Sequence, residues 1–125
     1  MNLLSETEGK AKHILSNLDQ FIGTVNYYRH FTGIVYTDGI QYLAESCGAY
    51  WLIDVIASYQ AKAGQKYPFQ IWRIRVNADN SAVVDMREDS DREPAITQEI
   101  RYTDFPLKEY EVYCIDGVIL LKNEY

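Results

Sequence analysis

The chain has 125 residues, 18 acidic and 12 basic, for a net charge of −6, and 11 of its 17 aromatic side chains are tyrosine. That length sets the expectation of one domain over residues 1–125 with a core of its own, and a 47% apolar content excludes a chain too polar to fold. The negative balance argues against direct binding of nucleic acid, which needs concentrated Lys and Arg. No run approaches the roughly 18–20 unbroken apolar residues of a membrane span; the longest candidate, residues 48–57, is interrupted by Asp54.

In chain order, Ser5 and Glu8 have the spacing of a capping box. Ala11, Ile14, Leu15, Leu18, Phe21 and Ile22 then recur at three- and four-residue steps, which predicts a helix over about residues 6–22 with Gly23 as its C-terminal cap. Residues 26–36 are aromatic and β-branched and read as one or two short strands, with a break or bulge at Gly33. Asp38 is expected to cap a second helix, with Gln41 three residues on. Ile40, Leu43, Ala44 and Cys47 form its apolar face, and Trp51, Leu52, Val55, Ile56 and Tyr59 continue the helical spacing to about Lys62, closed by Gly64. Gly48 either separates two helices or sits within one; the change of apolar phase at Gly48–Ala49 favours a break.

After Pro68 the period becomes two. Residues 69–76 read as a strand with Trp72, Ile74 and Val76 on one face and Arg73 and Arg75 on the other, joined by a turn at residues 77–80 to a partner strand over 81–87. Residues 87–94 are a charge-dense connection, and the acidic residues Asp85, Glu88, Asp89, Asp91 and Glu93 read as a solvated patch. Residues 96–102 fit another strand, and residues 110–115 and 118–121 flank Asp116-Gly117, a type I′ hairpin signal. The expected architecture is α+β: N-terminal helices packed on one face of a C-terminal antiparallel β-meander of about four strands.

Signatures of catalysis are absent: there is no glycine-rich phosphate loop, nucleophile elbow or His-Glu-x-x-His. Nothing implies a cofactor, and two histidines are too few for a histidine-rich metal site. Cys47 and Cys114 fall in apolar periodic segments and read as buried free thiols. The acidic N-terminus lacks a signal-peptide pattern, which makes the cytoplasm the expected location.

The unusual residues are Tyr27, Tyr28, Arg29 and His30, followed by Tyr36 and Asp38. A Tyr/Arg/His/Asp cluster can bind an anion or move a proton, because imidazole titrates near neutrality and guanidinium clamps oxyanions. Alternation along a strand would instead leave His30 as a hydrogen-bonded residue at the edge of the core. Asp38, Glu45 and Asp54 suit helix caps or polar faces better than a catalytic pair.

At residues 26–30, 36–45 and 48–54, and again at 68–72, 102–106 and 118–121, the sequence resembles an uncharacterised bacterial family of small proteins, a domain of unknown function also seen on mobile elements. The resemblance spans about residues 18–125 and implies a compact bacterial protein; it implies no catalytic residue. Two functions follow as expectations. One is a protein-binding module, a regulator or inhibitor engaging a protein partner of basic character, with a homodimer through sheet-edge or tyrosine contacts as an addition. The other is a small enzyme or ligand-binding protein using Tyr28, Arg29, His30 and Asp38 in a cleft between helices and sheet.

Overall fold

The computed structural model describes residues 3–125, with side chains from Glu8 onward. Helix α1 covers Leu3–Leu18. Ser5 therefore lies inside the helix rather than at its start, and its side chain, with the expected capping box, lies outside the described residues. The helix also ends four residues before Ile22. Ile14 and Leu18 are buried, but the chain then turns so that the Phe21 ring meets Tyr42 at 5.5 Å, leaving Ile22 exposed.

Strands β1 (Tyr27–Arg29) and β2 (Val35–Thr37) form a hairpin with Tyr28 opposite Tyr36. Its tip is a turn closed by the Gly33 N–H on the His30 carbonyl at 2.9 Å, and Gly33 takes φ +100°, a conformation in which a side chain is strained. Helix α2 (Asp38–Cys47) follows directly. Its cap is Thr37, whose hydroxyl accepts from the Ile40 N–H at 3.3 Å, and not Asp38. Gly48 adopts the left-handed conformation, φ 60° and ψ 39°, and separates α2 from α3 (Tyr50–Lys66). Helix α3 passes through Gly64 and stops only where Pro68 forbids continuation.

The remaining strands are β3 (Phe69–Val76), β4 (Ala82–Arg87), β5 (Ile96–Ile100), β6 (Glu109–Ile115) and β7 (Val118–Leu121), before a short 3-10 turn at Lys122–Glu124. Asp116 and Gly117 both take positive φ, as the type I′ hairpin requires. The seven strands make one mixed sheet in the order β1-β2-β7-β6-β3-β4-β5. The four-stranded antiparallel meander expected from sequence is thus an underestimate in two respects. The β1–β2 hairpin joins the same sheet, and it joins through a parallel pairing, Val35 with Val118 and Tyr36 with Ile119. Strand β6 also lies beside β3 rather than β5, with Trp72 opposite Val112.

Alternation sends Trp72, Ile74, Val84, Met86, Val112, Cys114, Ile119 and Leu121 into one core with Ile40, Leu43, Leu52, Ile53 and Ile56 of the helices. Packing there is tight: the cavity between α2, α3 and the sheet measures about 10 Å³. A polar side chain, Gln70, enters this layer. The fully buried Gln70 side chain exchanges hydrogen bonds with Gln60 of α3 at 2.8 and 2.9 Å and accepts from the Trp72 indole N–H at 2.7 Å.

The other face carries Arg73, Asp85 and Glu109. Arg73 lies 3.3 Å from Asp85 and 3.4 Å from Glu109, and Arg75 3.5 Å from Glu109. Asp85 is therefore a buried member of an ion-pair network on β4, with Arg87 Nε at 3.5 Å from its other oxygen, and does not belong to the solvated acidic patch. Arg101 falls beyond the end of β5.

No helix among the described residues is long and apolar enough to cross a membrane.

Candidate functional site

The six candidate residues lie on the β1–β2 hairpin and at the start of α2, but their side chains have different neighbours. The Asp38 carboxylate accepts from the Val25 and Asn26 N–H groups, each at 3.0 Å, from the Thr24 hydroxyl at 3.1 Å and from the Tyr28 hydroxyl at 3.1 Å. It closes the loop between α1 and β1. The backbone N–H groups of Asn26 and Val25 hold its carboxyl at about 2, below the ordinary carboxylate value, with the Tyr28 hydroxyl adding to the effect. Donation to that carboxylate raises the Tyr28 hydroxyl in turn. Tyr28 also stacks on Tyr36, with centroids 5.5 Å apart.

His30 takes part in a different contact. Its Nε2 lies 2.7 Å from Asp54 of α3, and its Nδ1 lies 2.8 Å from the Thr32 hydroxyl and accepts from the Thr32 N–H at 3.2 Å. With Nδ1 accepting, Nε2 carries the proton and donates to Asp54. The hydroxyl–imidazole–carboxylate sequence has the order of a nucleophile chain. The backbone N–H of Thr32 occupies the same Nδ1, however, and none of these side chains lines the small cavity between helices and sheet or the concavity beside Tyr67 and Phe69. The arrangement ties the hairpin tip to α3. His30 is accordingly a hydrogen-bonded residue with a side chain only 8% exposed, while Asp54 remains 64% exposed.

Arg29 is exposed and makes no ion pair among the described residues. Tyr27 is exposed as well. Arg29, His30 and Asp38 therefore do not converge on one pocket, and the helix–sheet cleft in which they were expected to meet is filled by apolar side chains. The larger concavity, about 240 Å³, lies elsewhere, between Tyr67, Pro68, Phe69, Glu88, Asp89 and Arg92. Among the described residues no group of three or more His, Cys, Asp or Glu side chains is gathered as a metal site. Both cysteines are buried and free, and burial pushes the Cys47 thiol up to about 11 and Cys114 up to about 12, far from a nucleophilic thiolate at neutral pH.

What the hairpin does present is an edge. The His30 N–H donates to the Ile34 carbonyl at 2.7 Å, and the pairing runs in step through Tyr28 opposite Tyr36. In an antiparallel ladder mutually bonded pairs alternate with non-bonded ones, so the backbone groups of Tyr27 and Arg29 point away from β2. In β1 and the segments that flank it, Ile22 (82% exposed), Val25 (90%), Tyr27 (62%) and Phe31 (91%) stand exposed. Sequence reasoning placed Ile22 in the apolar stripe of the first helix and did not single out Val25 or Phe31; nothing local distinguishes an apolar residue that the chain leaves outside.

A family model matches residues 12–125. The chain belongs to the family of unknown function DUF6876. The match runs from the middle of α1 to the end of the chain, so both the β1 edge and the Asp38 loop lie inside the DUF6876 region. No curated protein and no solved structure matches the chain.

Proposed function

We propose that this DUF6876 chain is a protein-binding module that takes up an extended segment of a partner along β1. The carrying observation is the coincidence of an unpaired strand edge with exposed apolar side chains. Of the eight large apolar side chains exposed among the described residues, Ile22, Val25, Tyr27 and Phe31 fall within ten positions of sequence, in β1 and in the segments that flank it. Sheet edges are ordinarily protected by charge, proline or a covering loop, because their free N–H and C=O groups pair with other chains. This edge carries one charged side chain, Arg29, among aromatic and aliphatic neighbours. Strand addition supplies affinity through main-chain hydrogen bonds and specificity through alternate side chains. Tyrosine suits such a surface because it offers amphipathic area at low conformational cost.

The test compares wild-type protein with a Val25→Lys/Phe31→Lys variant. Both positions are about nine-tenths exposed, so the thermal midpoint should not change. Capture of a protein partner from host lysate, with slowed amide exchange at Tyr27 and Arg29 in the complex, is the expected wild-type result, lost in the variant. Equal capture by both proteins overturns the assignment of the surface.

A further inference from the structure

We infer that the β1 edge pairs with a second copy of this chain, antiparallel, about a two-fold axis through Tyr28. The inference rests on reading that edge as a binding surface and adds its occupant. An added antiparallel strand must set outward-facing residues against outward-facing residues. In β1 those are Tyr27 and Arg29, two positions apart. One self-pairing uses all of them: Tyr27 opposite Arg29 of the second copy, and Arg29 opposite Tyr27 of the second copy.

That register is chemically self-complementary. Each Arg29 guanidinium, which makes no ion pair among the described residues, lies beside a tyrosine ring, and the cation–aromatic contact forms twice. On the opposite face the two Tyr28 side chains meet across the axis. The Tyr28–Tyr36 stack of one copy, 5.5 Å between centroids, then continues into that of the other. Val25 and Phe31, at opposite ends of β1, are brought toward Phe31 and Val25 of the second copy, which shields the most exposed apolar residues of the region. A three-residue strand limits the contact, so the dimer belongs to the small, readily dissociating class of interface. Two chains of charge −6 repel one another, and added salt screens that repulsion. Association is thus expected to strengthen as ionic strength rises.

Cysteine cross-linking reads the register directly, since native Cys47 and Cys114 are buried. Opposed residues of a non-bonded pair lie about 4.5 Å apart at Cα, within disulfide range, whereas Cα atoms more than about 7 Å apart cannot be bridged without backbone movement. Under mild oxidation Tyr28→Cys should give a covalent dimer. Tyr27→Cys and Arg29→Cys should each stay monomeric alone and give the covalent heterodimer when mixed. The mixed experiment uses two exposed positions and stands even if loss of the Tyr28–Asp38 hydrogen bond impairs folding of Tyr28→Cys. Sedimentation velocity of the unmodified chain should show a dimer fraction growing with concentration and with salt. Equal cross-linking by all three single variants overturns the register. A monomer at every concentration, with no heterodimer on mixing, overturns the second copy; partner capture through Val25 and Phe31 would still support the binding surface in that case, and its absence would remove both.

Discussion

The Glu124 carboxylate accepts the Gly39 N–H at 3.1 Å, joining the first turn of α2 to a residue 85 positions later. Its other oxygen accepts from the Thr37 hydroxyl at 2.6 Å and from the Leu121 N–H at 2.9 Å. A negative charge at a helix N-terminus is favourable by itself, and here it also fixes the hydroxyl that caps the helix. The approach is close enough to require glycine at position 39: a Cβ there would lie 2.5 Å from Leu121 Cδ1 and 2.6 Å from Glu124 Oε1. Leu121 is fully buried and Glu124 is held by three hydrogen bonds, so neither can yield. Gly39→Ala is expected to destabilise by about 1–3 kcal/mol in urea unfolding, the usual cost of overpacking. Gly9→Ala, a helical position with open space around it, should instead be neutral or stabilising by up to about 1 kcal/mol.

The Asp38 carboxylate carries an acid-dependent share of stability. Its folded value, about 2, lies below the ordinary carboxylate value of 3.8, so the folded state binds its proton less readily than the unfolded state. The contribution is complete above about pH 4 and disappears as pH falls toward 2. Unfolding followed between pH 5 and pH 2 should show a steeper acid-side loss for wild type than for Asp38→Asn, with the Val25 and Asn26 amide resonances moving over the same range. Parallel curves would remove this role for Asp38.

Gln70 bonds three other polar groups, the Gln60 amide, the Trp72 indole and the Tyr67 carbonyl. Gln70→Leu leaves the Trp72 indole N–H without its acceptor and takes the Gln70 donor from Gln60 Oε1 and the Tyr67 carbonyl, and an unsatisfied buried group costs about 1–3 kcal/mol. A loss of about 2–4 kcal/mol is expected by denaturant titration. The double change Gln60→Leu/Gln70→Leu should recover part of it, because fewer partners are then stranded.

The His30–Asp54 contact joins a shielded imidazole to a largely exposed carboxylate, and such pairs contribute little through charge alone. Asp54→Asn should cost no more than about 1 kcal/mol. His30→Ala, which also frees the hairpin tip at Thr32, should cost more and should broaden the amide signals of residues 30–34. A loss of partner capture by His30→Ala at unchanged stability would make His30 part of the binding surface.

Local sequence determined much of the framework. Strand β3 begins and ends where the two-residue period does, the Asp116-Gly117 turn has the positive φ its residue types announce, and Gly48 divides two helices where the apolar phase changes. These features depend on neighbours within a few positions, where periodicity and backbone sterics act. What tertiary structure decided lies in contacts between distant residues. Asp38 had every local mark of a helix cap, yet Thr37 took that place because Glu124 arrived to orient its hydroxyl. Asp54, which sequence placed on a polar face, holds His30 from 24 positions away. Asp85, read as part of a solvated patch, is shielded by the β4 pairing that puts it against Arg73. The parallel β2–β7 contact turns a separate hairpin into the edge of a seven-stranded sheet, and hydrophobic alternation is indifferent to which strand lies alongside. The exposed edge at Tyr27 and Arg29 exists for the same reason: the sequence made a strand, and only the order of the sheet left one side of it without a neighbour.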